Sequence, residues 1–199
     1  MFKSRTSLVA AALLLLSFWA APAAGIQLQE ATEWIIVAPA GEGFSVRMPV
    51  KPEEQSDRVS VMGNNYQMRL YTSVDKASGM IYMVAMQEFP TVAGALEPSK
   101  RLEQFMGGFK EGMVKSMGAG VTLDLMPERE LDLKGHLGHQ YALSFSKTHG
   151  LVRAFDGISR MYVLLVAGGD EKNAGIGRFF DSFEITPAPA PVPQPTSPN

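Results

Sequence analysis

Met161-Tyr-Val-Leu-Leu-Val-Ala167 is the stretch that decides the fold, because it is seven residues long and apolar throughout. A strand that is wetted on one face alternates apolar and polar residues, whereas a strand covered on both faces is apolar at every position. The stretch therefore predicts a central strand with a layer on each side. It belongs to a longer segment, Ile158–Ile185, that closes the folded part of the chain.

Further strands are predicted on either side of this segment. Met80–Phe89 is a second nearly continuous apolar run, ended by Pro90, and it predicts another central strand. The turn sequences Gly63-Asn64-Asn65 and Asp156-Gly157 predict hairpins, and Pro127 predicts an edge strand or a bulge. Shorter strand patterns lie at Trp34–Val37, Gly43–Met48, Arg58–Met62, Tyr66–Val74, Val121–Leu125, Glu130–Leu133, His139–Lys147 and Leu151–Phe155.

Two segments have the helical period. Pro98–Met117 carries apolar residues three and four apart, and charged residues, Arg101 among them, occupy the remaining positions. A second helix is expected from Asp170, a good N-cap, with Ile176, Phe179, Phe180 and Phe183 on one stripe before a last strand at Phe183 and Ile185. Two helices at separate points in the chain can cover both faces of a sheet. We predict an α+β fold: a mainly antiparallel sheet of about six to nine strands covered by two helices, an α/β/α sandwich.

The two ends of the chain differ in composition from the part between them. Lys3 and Arg5 precede an uncharged run of about 15 residues, shorter than the roughly 18 to 20 that span a bilayer, and small residues follow at a cleavage position. These features predict a signal peptide over residues 1–23, with cleavage after Ala23 or Ala24. Residues 187–199 hold 6 of the 13 prolines and predict a disordered tail, which leaves one domain over residues 24–186.

Charge and cysteine content limit the classes of partner and environment. Without Lys3 and Arg5 the 18 basic residues become 16, against 20 acidic ones, so the exported chain has a net charge of −4. Mild acidity argues against a nucleic-acid partner, which requires a clustered basic face. There is no Cys, so the exported protein has no disulfides. We expect a protein without a membrane span after signal cleavage, located in the bacterial periplasm or outside the cell.

Four sequence features occur in an order that resembles a known superfamily. They are the opening Gly43-Phe-Ser-Val-Arg-Met-Pro49, Phe89-Pro90, Gly135-x-x-Gly138, and the closing Phe179-Phe-Asp-Ser-Phe183. This order resembles the PsbP-like α/β/α sandwich superfamily of PsbP and DcrB-like exported proteins. The resemblance covers about Trp34–Thr186 and implies an accessory or binding module without catalysis. It supplies no site residues.

His136 and His139 form His-x-x-His beside two glycines, a spacing that would allow a shared metal, with His149 as a third ligand. Zinc sites of this kind use three or four ligands, and no Cys or acidic partner lies nearby in the sequence, so these two residues are weak metal candidates. Met80, Met83 and Met86 have the spacing of thioether copper sites, but on a strand the middle one takes the opposite face. Core packing explains them better.

No catalytic constellation and no phosphate-binding loop occurs in the chain; Gly118-Ala-Gly120 and Gly175-Ile-Gly177 lack the required context. The sequence thus favours a non-enzymatic exported module, without cofactors, that binds an unknown protein or small ligand in an envelope assembly. The alternatives are a metal-handling protein for Cu or Zn and a hydrolase of unrecognised type. A functional surface is expected in the loops 53–57, 91–97 and 136–139.

Overall fold

A computed structural model describes residues 33–61, 64–88, 96–117 and 122–186. The predicted signal peptide, the proline-rich tail and Gly118-Ala-Gly120 lie outside these ranges. No helix within them is long and apolar enough to cross a membrane. The strands are β1 (Ile35–Val37), β2 (Phe44–Met48), β3 (Glu53–Val61), β4 (Asn64–Asp75), β5 (Met80–Glu88), β6 (Leu123–Leu133), β7 (His136–Phe145), β8 (Thr148–Asp156), β9 (Arg160–Ala167) and β10 (Glu184–Ile185), and the helices are α1 (Pro98–Met117) and α2 (Ala174–Asp181).

Seven strands form one antiparallel sheet in the order β3-β4-β5-β9-β8-β7-β6. β5 and β9 lie side by side near its middle, where Val84 pairs with Leu164. Every residue of β9 from Met161 to Ala167 is buried, and most of β5 is buried as well. The prediction of two central strands covered on both faces is confirmed.

Different layers cover the two faces of this sheet. On one face α1 packs Leu102 and Met106 against residues such as Leu143 of β7 and Val163 of β9. On the other face lie α2 and a small three-stranded sheet in the order β1-β2-β10. The α+β class and the two covering helices are confirmed. The second sheet is an additional layer that the sequence pattern did not separate from the first.

The β3–β4 hairpin is confirmed, but the start of β3 and the residues of the turn differ from the prediction. β3 begins at Glu53 and pairs Glu54 with Tyr71, so these acidic residues lie in a strand and not in a polar loop. Asn64 pairs with Val61 and Asn65 with Ser60, so these two asparagines lie in β4 and not in the turn predicted at Gly63-Asn64-Asn65. Polar residues are common on edge strands, and β3 is a sheet edge, which explains why its start resembled a loop.

Leu123–Leu133 is one long strand, β6, in place of the two short strands predicted, and it carries a bulge between Pro127 and Arg129. Before the bulge Leu125 packs in the core beneath α1; after it Leu131 packs in the opposite core. An extra residue in a strand moves the following side chains to the other face. The bulge therefore lets leucines of one strand contribute to both cores. The prediction that Pro127 marks an edge strand or a bulge is confirmed.

The second helix begins later than predicted. Its N-cap is Asn173, whose Oδ1 accepts the N–H of Gly175 at 2.7 Å. Asp170 instead accepts the N–H of Lys172 at 2.9 Å and closes a turn ahead of the helix. Both Asp and Asn are strong N-caps, so the choice between them depends on where the chain leaves β9. Phe183 lies just after the helix and remains buried.

Replacing Gly107, Gly108 and Gly112 by alanine is expected to stabilise the protein by up to about 1 kcal/mol each. All three lie on the exposed side of α1, and a Cβ at any of them would meet no other described residue within 4 Å. Alanine removes backbone entropy from the unfolded chain without a clash. Urea unfolding of the triple variant measures the gain. Gly138→Ala in β7 is the matched control, because its Cβ would clash with the Phe155 ring, and it should destabilise the protein. A triple variant no more stable than wild type would contradict the prediction.

Candidate functional site

Buried charged side chains meet at one end of the sandwich. We call this region the loop end and define it by three parts: residues 38–43 between β1 and β2, residues 157–159 between β8 and β9, and the first turn of α1. Contacts connect the parts, because Asp156 binds Arg101 of α1 and Tyr162 binds the backbone of Glu42. None of these groups was predicted to have a site role.

Arg101 and Asp156 form an ion pair that is closed to water, with 5% and 3% of their surfaces exposed. Nε of Arg101 donates to Oδ2 of Asp156 at 3.0 Å, and Nη2 contacts the same oxygen. Nη1 donates to the carbonyl of Leu96 at 2.8 Å, and Oδ1 of Asp156 accepts the N–H of Ile158 at 2.8 Å. The pair therefore fastens the β8–β9 turn to the start of α1. The helical pattern assigns Arg101 to the positions outside the apolar stripe of α1, and this prediction is wrong, because the residue is buried.

The turn held in this way presents Ile158 to solvent. Its side chain is 68% exposed and its φ is 74°, in the left-handed region. A β-branched residue rarely adopts this conformation, and it does so only where the surroundings impose it. The hairpin predicted at Asp156-Gly157 is confirmed. Glycine is required at position 157 because a side chain would not fit: a Cβ there would meet the Tyr162 ring at 2.7 Å and the Arg160 carbonyl at 3.0 Å.

Glu42 is the second buried charge of the loop end, with 4% of its surface exposed. One carboxylate oxygen lies 3.0 Å from Nη1 of Arg69, which also contacts Glu54 at 3.5 Å. The other oxygen, Oε2, is buried and has no hydrogen-bond partner among the residues that the structure describes. Burial raises the pKa of Glu42, and the charges of Arg69 and Arg160 oppose this shift. Burial also raises the pKa of Tyr71 to about 12.

The backbone around Glu42 is anchored from two directions. The Tyr162 hydroxyl donates to the carbonyls of Glu42 at 3.0 Å and Gly43 at 3.2 Å, and the N–H of Thr186 donates to Gly43 at 2.9 Å. Gly43 has a φ of 71°, and a Cβ there would lie 2.9 Å from both Nη1 of Arg160 and the Tyr162 hydroxyl. Only glycine fits this position. An acid between two glycines, Gly41-Glu42-Gly43, was the sequence signal for this cluster.

The two histidines proposed as metal candidates do not converge. His136 and His139 both lie in β7, not in a turn, and an offset of three puts them on opposite faces of the strand. His136 places Nδ1 3.0 Å from the carbonyl of Asp156, whereas His139 lies against Tyr141 with Nε2 3.6 Å from Glu130. Within the described ranges no three His, Cys, Asp or Glu residues form a group able to hold a metal ion.

The methionine interpretation is confirmed. Met80 and Met86 are buried in the core beneath α2 and the small sheet, while Met83 packs against the core beneath α1. The predicted functional loops fare differently: residues 53–57 lie in β3, residues 136–139 lie in β7, and of residues 91–97 the structure describes Leu96 and Glu97 alone. His136 is nonetheless close to the loop end through its contact with Asp156.

Comparisons with known proteins identify the fold. No protein-family model and no curated protein sequence matches the chain. Among solved structures, the solution structure of cyanobacterial PsbP (CyanoP) from Synechocystis sp. PCC 6803 matches with a TM-score of 0.52 at 11% sequence identity. The match covers 83% of this chain and 99% of that one. The chain therefore has a PsbP-like fold, as the sequence resemblance predicted.

Proposed function

We propose that the protein is an exported, non-enzymatic binding or accessory module that docks on a partner protein in the bacterial cell envelope. The signal-peptide pattern of residues 1–23 supports export, and the PsbP-like fold supports an accessory role. The partner contacts the loop end, and Ile158 is the residue at its centre. The conformation of Ile158 is the observation that carries the proposal.

The left-handed conformation of Ile158 costs free energy that contacts within the free protein do not offset. A left-handed residue with a Cβ costs about 1 to 2 kcal/mol, and Gly or Asn at position 158 would avoid most of it. The Ile158 side chain is 68% exposed, so it recovers little of this cost by burial within the chain. Interfaces concentrate binding energy in a few apolar or aromatic anchors that enter a pocket on the partner. A partner pocket is the place where this side chain becomes buried.

The buried network beneath the turn supports the same role. Arg101 and Asp156 hold the turn from below, and Oδ1 of Asp156 fixes the N–H of Ile158 itself. The side chain is thus oriented before any partner arrives, which reduces the entropy lost on binding. A turn that was merely a connection between β8 and β9 would need neither the buried pair nor an isoleucine at its tip.

A photo-crosslinking residue at position 158 of the full chain, expressed in its own host, is expected to capture one discrete envelope protein. Ile36 is the matched control, since it is also isoleucine and is 67% exposed on the small sheet. Ile158→Gly should then bind the purified captured protein at least about tenfold more weakly, a loss of about 1.4 kcal/mol. Its thermal stability should be unchanged or higher, because glycine relieves the backbone strain. Equal capture at both positions, or unchanged affinity of the variant, would contradict the proposal.

A further inference from the structure

The loop of residues 38–43 has the parts of a latch. Its tip carries Glu42 inward, between Gly41 with φ 82° and Gly43 with φ 71°. A Cβ on Gly41 would meet no described atom within 4 Å, so the described residues provide no packing against this side of the loop. The closed position depends instead on the contacts of Glu42 and Gly43 with Arg69, Tyr162 and Thr186.

Charged and titratable groups face the Glu42 carboxyl from four strands of the large sheet. They are Glu54 of β3, Arg69 and Tyr71 of β4, Glu88 of β5, and Arg160 and Tyr162 of β9. The two guanidinium groups favour the ionised carboxylate, while the two other carboxylates and the loss of water oppose it. Within the described part of the chain Oε2 of Glu42 is buried and has no hydrogen-bond partner, which penalises the ionised form further.

We propose that residues 38–43 form a proton-controlled latch, which closes on the sheet when the Glu42 carboxyl is protonated and opens more often when it is ionised. Opening turns the chain about Gly41 and Gly43 and exposes the carboxyl to water. It also breaks the hydrogen bond from the Thr186 N–H to Gly43, so the C-terminal end of the described domain is released together with the loop.

The direction of the pH dependence follows from linkage. In the closed latch burial raises the pKa of Glu42 above its ordinary value of 4.5, whereas in the open latch the exposed group has its ordinary value. The closed form therefore binds more protons between these two pKa values. Protonation supports closing fully below the ordinary pKa, and this support is lost as the pH rises through the raised value. Above both values Glu42 is ionised in both forms, and the opening equilibrium no longer changes with pH through this group.

Amide hydrogen exchange by NMR on the mature full chain tests the latch, with rates corrected for the intrinsic effect of pH. The probes are the N–H groups of Glu42 and Thr186, which bind the carbonyls of Pro39 and Gly43. Between pH 4 and pH 8 their opening is expected to increase by about threefold or more, because the closed form binds more protons than the open form. Glu42→Gln should abolish this dependence. Glu54→Gln removes the exposed carboxylate beside the same Arg69 and should retain it.

Two results would overturn the latch. One is the same dependence of exchange on pH in Glu42→Gln as in wild type. The other is a carboxyl carbon signal of Glu42 in the wild-type protein that titrates at or below pH 4.5; this measurement needs no variant and so does not depend on the folding of one. Neither experiment involves Ile158 or a partner, so the latch and the proposed docking function can fail separately.

Discussion

Replacing Arg101 by methionine is expected to lower the free energy of unfolding by about 3 to 5 kcal/mol, because the substitution leaves the Asp156 carboxylate buried without its counter-charge. Methionine fills a similar volume, so the loss reflects the charge rather than a cavity. Asp156 would keep the N–H of Ile158 but lose both contacts from the guanidinium. The β8–β9 turn would then separate from the start of α1.

Urea unfolding followed by circular dichroism measures this loss, and two further variants define its origin. Arg101→Met combined with Asp156→Asn should recover part of the stability, since the amide needs no counter-charge. Lys134→Met is the matched control: it breaks the 2.9 Å pair with Glu184, in which both side chains are more than half exposed, and should cost less than about 1 kcal/mol. Equal effects of Arg101→Met and Lys134→Met would contradict the role assigned to the buried pair.

Truncating Phe183 to alanine is expected to cost about 3 to 5 kcal/mol. The ring is 2% exposed and lies 6.0 Å from Phe44, 5.7 Å from Phe155 and 5.7 Å from Tyr162, measured between ring centres. These rings come from the small sheet and from two strands of the large sheet. Removing the ring would leave a cavity between the two sheets, which the rigid strands on both sides cannot close.

The same unfolding assay separates cavity formation from a general sensitivity of this region. Phe183→Leu keeps most of the volume and is expected to cost less than about 1.5 kcal/mol. Met126→Ala shortens a side chain that is 61% exposed on β6 and should change stability by no more than about 0.5 kcal/mol. If the free energy of unfolding of Phe183→Ala differs from that of wild type by less than about 1 kcal/mol, as for an ordinary surface substitution, the packing of the two sheets does not depend on this ring.

The elements that the sequence predicted well are those with a long periodic signal. α1 spans Pro98–Met117 as expected. Its apolar residues recur every three or four positions over about five turns, and a pattern of this length indicates a helix rather than a strand. β9 was visible because a strand covered on both faces needs apolar residues at every position. Both patterns can be recognised within the sequence of a single element, without knowing which elements pack against it.

The sequence predicted the strands of the small sheet but not that they form a separate sheet, because short strands carry no signal for their pairing partners. β1 has three residues and β10 has two, and β10 pairs Glu184 with Ser45 from the opposite end of the chain. Such a pairing depends on the large sheet, which positions both segments above its surface. Tertiary packing, not local propensity, decides strands of this kind.

The loop end was missed for a similar reason. Arg101 adjoins Leu102 at the border of the apolar face of α1, where a charged residue normally reaches water, and its partner Asp156 lies 55 residues away. Glu42 resembles any acidic residue in a glycine-rich turn until Arg69 and Tyr162 are placed around it. The sequence shows which residues are charged, but the residues that bury them lie far away in the chain.

The bulge in β6 also affects how this protein behaves at high concentration. β6 lies at the edge of the large sheet, and an edge of eleven residues offers backbone groups to which a strand of a second molecule can bind. Pro127 has no N–H, the bulge bends the strand there, and Glu128 and Glu130 add charge beside it. The bulge that distributes leucines between two cores is therefore also expected to hinder edge-to-edge pairing of two copies of the chain, so the folded protein should resist aggregation along this side.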